Sequence, residues 1–157
     1  MGNRIVVSNS SPIILLHKIG QLNLLKNLYG KIYIPRAVYT EVCVEQNILA
    51  SFKWINVIDI QNVGVKSFFK TNLHDGEIEV IILATEMSAD LLILDDLLAR
   101  KYAQHIGLEI TGTIGVLLAL KNMNIIEEVK PIMKQLLSIG MHIDKGLYDE
   151  VLASANE

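Results

Sequence analysis

Leu91-Leu92-Ile93-Leu94-Asp95-Asp96 is the stretch that decides the fold. Four aliphatic residues in a row, with no polar alternation, describe a short strand covered on both faces. Two carboxylates end it abruptly. A helical pattern follows over Leu97–His105. Upstream, Asp75-Gly76-Glu77 opens a helix that runs to about Met87, with acids where the helix dipole favours them. The central unit is therefore helix, buried strand, helix.

Reading outward, the same grammar repeats. Ile5-Val6-Val7 is a short β-branched run that stops at Ser8-Asn9-Ser10-Ser11-Pro12. Ser11 is expected as an N-cap, with Pro12 in the first helical position, where its missing N–H costs nothing. That helix ends near Gly20. A second, carrying Leu22, Leu25 and Leu28, ends at Gly30. Lys31–Ile34 is a strand. Pro35 opens a helix bearing Val38, Glu41, Val42 and Glu45, and Trp54–Ile60 reads as an edge strand. Residues 62–73 fit no single pattern. After His105 come a strand at Leu108–Ile110, then Gly112-Thr113 leading into an apolar helix over Val116–Leu120, and two helices near 131–137 and 147–153. Short apolar strands alternating with helices specify an α/β fold with a mainly parallel sheet and helices on both faces. No repeat, linker or low-complexity stretch divides residues 1–157, so one domain is expected.

Composition narrows the function classes. Apolar residues make up 51% and charged residues 20%, which excludes a disordered chain. Lys and Arg number 14 against 17 Asp and Glu, a net charge of −3. A protein that binds nucleic acid by charge alone is usually basic. A metallonuclease need not be, because its ions supply the local positive charge. Cys43 is the only cysteine, so no internal disulfide forms and a reducing cytoplasm fits. With no base near it in sequence, it reads as a small buried hydrophobe. No signal segment is seen, and no apolar run reaches the roughly 18–20 residues of a membrane helix. A soluble, cytoplasmic protein with no membrane contact is expected.

Open parallel sheets carry their sites at the carboxyl ends of strands, near the point where strand order reverses. That rule selects Asn9, after the first strand, and Asp95 and Asp96, after the central one. It adds Glu41, on the helix after the second strand, and Asp75, Glu77 and Glu79, at the start of the helix before the central strand. Each has a plainer role. Asp95 or Asp96 could cap the helix at Leu97, Glu41 could be a solvated helix residue, and Asp75 and Glu77 suit a helix start. Glu79 is harder to explain away inside Ile78–Leu83. Converging carboxylates repel and raise one another's pKa. A hard divalent cation relieves that, and such ions can bind a scissile phosphate and activate water. Other chemistries lack their signatures. Gly112-Thr113-Ile114-Gly115 is no phosphate loop, there is no G-x-S-x-G elbow, and His17, His74, His105 and His142 lack zinc spacing.

Taken together, several stretches resemble the PIN-domain superfamily, in particular a prokaryotic subfamily related to toxin-type PIN nucleases. They are Ile5–Ile14, Ile34–Val42, Gly76–Ile81, Leu92–Asp96, Arg100-Lys101, Gly112–Leu117 and the Gly140–Tyr148 region. The resemblance spans nearly the whole chain and lies in the order and spacing of the motifs. It implies a three-layer α/β/α sandwich and cleavage of single-stranded RNA with Mg²⁺ or Mn²⁺ held by acids. It implies a first-motif residue at Asn9, where the family normally has Asp, then Glu41, then Glu79 with Glu77 as a close alternative, then Asp96 with Asp95 adjacent. Ser10, Arg100, Lys101 and Thr113 become candidate substrate contacts, and Asp75 and Glu77 secondary site candidates. A toxin–antitoxin role, an antitoxin-like inhibitor and a homodimer follow from resemblance alone. The alternative is a catalytically weak PIN fold that binds RNA or a protein partner; Asn9, which brings no charge, and the acidic balance favour it. A small-molecule binder without metal has no positive signal.

Overall fold

The computed structural model describes residues 4–44, 48–69 and 73–157. Five parallel strands form one sheet: β1 (Val6–Ser8), β2 (Ile32–Ile34), β3 (Ile55–Val57), β4 (Leu91–Ile93) and β5 (Ile110–Thr111), in the order β3-β2-β1-β4-β5. The sheet is wholly parallel, and β3 lies at its edge as its weak alternation suggested. Chain order runs outward from β1 in both directions, so the reversal point lies between β1 and β4. Their register pairs Val6 with Leu91, Val7 with Leu92 and Ser8 with Ile93. Val6, Val7, Leu92, Ile93 and Leu94 are fully buried. That burial on both faces is why these runs carry no polar alternation.

Eight α-helices cover the sheet among the described residues: α1 (Ser10–Lys18), α2 (Asn23–Tyr29), α3 (Arg36–Val42), α4 (Asp75–Glu86), α5 (Leu97–His105), α6 (Thr113–Asn122), α7 (Lys130–Ser138) and α8 (Lys145–Ser154). This is the α/β/α arrangement expected. Two boundaries shift for physical reasons. The backbone N–H of Asn9 donates to the Ile93 carbonyl at 2.9 Å, so α1 starts as soon as strand pairing ends. Asn9, not Ser11, occupies the cap, and Pro12 is tolerated because the first-turn N–H groups have no helical acceptor. Helix α3 ends at Val42; Glu45, expected on it, lies outside the described residues. The open stretch 62–73 contains a 3₁₀ helix over Val63–Phe68.

Helix α4 is unusual in that every residue from Gly76 to Ala84 is buried. A helix apolar on all sides belongs between layers, not on a surface. It packs on β1, β4 and α3, which brings its first turn to the carboxyl ends of the central strands. Among the described residues, no helix is long and apolar enough to cross a membrane.

Candidate functional site

A cleft of about 450 Å³ opens where β1 ends, lined by Asn9, Ser10, Ser11, Glu41, His74, Asp75 and Glu77. Three chain segments, distant in sequence, supply it. Asn9 and Ser10 follow β1 into α1. Glu41 projects from α3. His74, Asp75 and Glu77 form the start of α4.

Each carboxylate near the cleft is held, and the way it is held separates them. Glu41 accepts from the Ser10 hydroxyl through Oε2 at 2.5 Å. Its head lies against Gly76, whose Cα approach works only because glycine has no Cβ. A methyl group there would fall on the Glu41 carboxylate, 2.8 Å from Cδ. Glu77 is 7% exposed, and its Oε1 accepts from the His74 backbone N–H at 2.9 Å. Burial pushes its pKa up; the His74 hydrogen bond opposes this, while the charge of Asp96 and a hydrogen bond with it add to the rise. Asp96 is exposed and caps α5, Oδ2 accepting from the Ala99 N–H at 2.9 Å. Glu41, Glu77 and Asp96 thus each give one oxygen to a fixed donor, and Glu77 and Asp96 also meet each other.

Asp95 and Glu79 have both oxygens engaged. Asp95 accepts from the Thr113 N–H at 2.8 Å and from the Thr113 hydroxyl at 2.6 Å, so it caps α6 from across the sheet. Glu79 accepts from the Ala37 N–H at 3.0 Å and from Lys66 Nζ at 2.9 Å. It ties the start of α3 and the 3₁₀ helix to α4. Residues two apart on a helix point about 200° apart. Glu77 and Glu79 therefore cannot serve the same cleft, and the structure brings Glu77 there, not Glu79.

The remaining candidates are distributed as follows. Asp75 lies on the cleft rim, 3.6 Å from Lys66. Ser10 is buried and committed to Glu41. Thr113 is fully buried beneath Asp95, so its hydroxyl serves the cap and not a ligand surface. Arg100 is half-buried, and a Cβ on Gly112 would lie 2.8 Å from its guanidinium and 2.7 Å from Asp95 Oδ1. Lys101 is exposed on α5. Lys66 and His74 were not selected by sequence reasoning. His74 could have been, since it immediately precedes the Asp-Gly-Glu start; Lys66 sits in a stretch with no readable period.

Asn9 supplies the most telling feature. Its side-chain Oδ1 is buried and has no hydrogen-bond partner. An unsatisfied buried acceptor costs about 1–3 kcal/mol. An amide oxygen is also a suitable donor to a hard cation. Among the described residues, no three His, Cys, Asp or Glu side chains gather closely enough to enclose a metal by themselves. The donor set is instead an amide oxygen and carboxylates around an open cleft. That suits an ion such as Mg²⁺, which keeps several waters and takes only one or two protein carboxylates. The residues fit such an ion and do not form a closed cage.

A family model described as PIN domain matches residues 5–157 of this sequence. Comparison with curated proteins finds no match.

Proposed function

The chain belongs to the PIN-domain family, a nuclease-type fold, and from that premise we propose that it is a Mg²⁺- or Mn²⁺-dependent endoribonuclease acting on single-stranded RNA. The observation that carries this reading is the unpartnered, buried Oδ1 of Asn9, a residue that lines the same cleft as Glu41 and Glu77. Asn9, Glu41, Glu77 and Asp96 would hold the ion. When bound, a divalent ion offsets phosphate charge and makes water a better nucleophile at neutral pH.

The chain's own residues prepare for that. Ser10 fixes Glu41, the His74 N–H fixes Glu77 and the Ala99 N–H fixes Asp96. Donor atoms locked this way keep their geometry without substrate, which is what positional catalysis requires. The charge of Asp96 adds to the burial that raises the Glu77 pKa, and a cation between the two would relieve that repulsion. Asp95 and Glu79 serve the frame: one orients α6 and the other sets α3 and α4 side by side.

Calorimetric titration with Mn²⁺, paired with cleavage of a mixed single-stranded RNA, tests the proposal. Wild type should bind the ion and cut; Asp96→Asn and Glu77→Gln should weaken both strongly. Equal ion binding in all three would remove the site assignment.

A second reading is favoured by one feature: Asn9 contributes no charge where the family's usual Asp would. In that reading the fold binds RNA or a protein with little catalysis, and folded wild type would bind RNA but release no product with Mn²⁺. The finer role, toxin of a toxin–antitoxin pair with an antitoxin-like inhibitor and a homodimeric state, is supported by motif resemblance to the toxin-type members. Growth arrest on expression, relieved by the product of a neighbouring gene, is its test.

A further inference from the structure

Glu41 forms a wall of two cavities. One is the acidic cleft. The other, also of about 450 Å³, lies on its far side and is lined by Ile14, His17, Lys18, Val42, Val44 and Ile48. The two are joined by helix geometry. Ser10, Ile14, His17 and Lys18 fall at spacings of four, seven and eight, which places them on one face of α1. Helix α1 packs against α3, so this face and Glu41–Val42 border one groove. From Ser10 to Lys18 it extends about 12 Å along the helix axis.

The chemistry changes along that groove. At the Ser10 end it is acidic. Past Glu41 its walls are the aliphatic side chains of Ile14, Val42 and Ile48. At the far end stands Lys18, exposed and without an ion-pair partner among the described residues. His17 is beside it, its ring fixed edge-on against Phe52 at 5.9 Å and 87°. Lys18 thus puts a positive charge at the far end of the groove in a protein of net charge −3, and that charge suits an anion.

We propose that this second cavity binds the nucleotide adjoining the scissile phosphate of single-stranded RNA. The base lies against Ile14, Val42 and Ile48, His17 offers a hydrogen bond to the base edge, and Lys18 pairs with the next phosphate. A strand whose scissile phosphate sits by Glu41 and Glu77 must send its neighbour out of the cleft on some side. The α1–α3 groove is continuous with Glu41 and ends in a cation, which fits a phosphate-linked base better than an apolar peptide. This inference rests on the nuclease reading and adds a specificity pocket to it.

The test uses the full chain, a fluorescein-labelled mixed-sequence RNA, anisotropy without divalent ion, and Mn²⁺-dependent cleavage. Lys18→Glu lies on an exposed position and should fold normally. It should weaken RNA binding about tenfold, lower the salt-dependence slope by about 0.7, the value for one contact to a single strand, raise KM and leave kcat within about twofold. Ile14→Trp, which fills the cavity, should raise KM and alter which nucleotide flanks the cut. Unchanged affinity, KM and cut-site preference in both variants, with wild type still cutting, would overturn the pocket and leave the nuclease reading intact. RNA binding that both variants weaken, without any Glu77-dependent cleavage, would support the pocket and remove the nuclease reading. No RNA binding by wild type would overturn the proposal.

Discussion

Gly76→Ala separates the chemistry of the cleft from the stability of the fold. An added Cβ would lie 2.8 Å from Glu41 Cδ and Oε2 and closer still to Oε1. Carbon atoms in contact need about 3.5–4.0 Å, so the Glu41 head must withdraw by about 1 Å. It is the far end of a flexible side chain, which makes the withdrawal inexpensive in energy. It also breaks the 2.5 Å bond from Ser10. A displacement of about 1 Å at a catalytic group can cost about a hundredfold in rate. Stability should hardly change, because alanine is the better helix former by roughly 0.5–1 kcal/mol and can offset the lost hydrogen bond. The expected result is a fall in kcat/KM of about a hundredfold on single-stranded RNA with Mn²⁺, with a melting temperature within a few degrees of wild type. A variant that cuts as fast as wild type would refute the placement of Glu41 against Gly76. A variant that unfolds would refute the claim that the contact is functional.

Glu79→Gln and Glu77→Gln should behave oppositely: the first lowers stability by about 1–3 kcal/mol, as for a lost charged hydrogen bond, and leaves Mn²⁺ affinity in place, whereas the second loses Mn²⁺ affinity without losing stability. Thermal melts and calorimetry on both variants check this, and an interchange of the two outcomes would return Glu79 to the metal site. Asn9→Asp should tighten Mn²⁺ binding and raise cleavage, because an anionic oxygen replaces a neutral one beside the ion; slower cleavage with weaker binding would show that crowding with Glu77 and Asp96 dominates. Glu157 is raised by burial but lowered more by bonds from the Val129 N–H, Lys121 and the Lys130 N–H, to about 2. A lowered folded pKa gives stability above the ordinary carboxylate range that is lost as pH falls through about 2, so Glu157→Gln should cost about 1 kcal/mol at pH 7 after solvent screening, roughly 2–4 °C in Tm, and much less near pH 2. An equal deficit at both pH values would contradict it.

Much of the fold could be read because its central strands have no ambiguous face. Leu92–Leu94 is fully buried, so the composition of the run alone marks it, and α5 begins and ends where Asp96 and the patterned run to His105 said it would. The α4 acids were harder for the opposite reason. Burial of every residue from Gly76 to Ala84 erases the polar stripe that would show which carboxylate faces outward. Glu79, isolated among aliphatic residues, looks functional in sequence; in space it is answered by Ala37 and Lys66, the latter in a stretch without readable periodicity. The division of labour between Asp95 and Asp96 was hidden too. It depends on Thr113, eighteen residues onward, arriving beside β4.

On the proposed reading, the ion-holding acids differ from the framing ones in how the chain's own donors engage their oxygens. Asp95, Glu79 and Glu157 spend both on donors of the same chain and join elements together. Glu41, Glu77 and Asp96 each give one oxygen to a fixed donor, enough to fix their orientation, while Glu77 and Asp96 meet each other, and on the proposed reading an ion would take the place of that contact. A carboxylate with no fixed donor would be poorly placed, and one with two would have nothing to give. The Asn9 amide completes the set from the other direction, with a buried oxygen that no donor satisfies. Such an oxygen is tolerable in a folded protein when something outside the chain satisfies it. A cation in the cleft would satisfy it and relieve the Glu77–Asp96 repulsion at the same time. The two costs are separate, one from desolvation and one from like charge, and a single ion removes both.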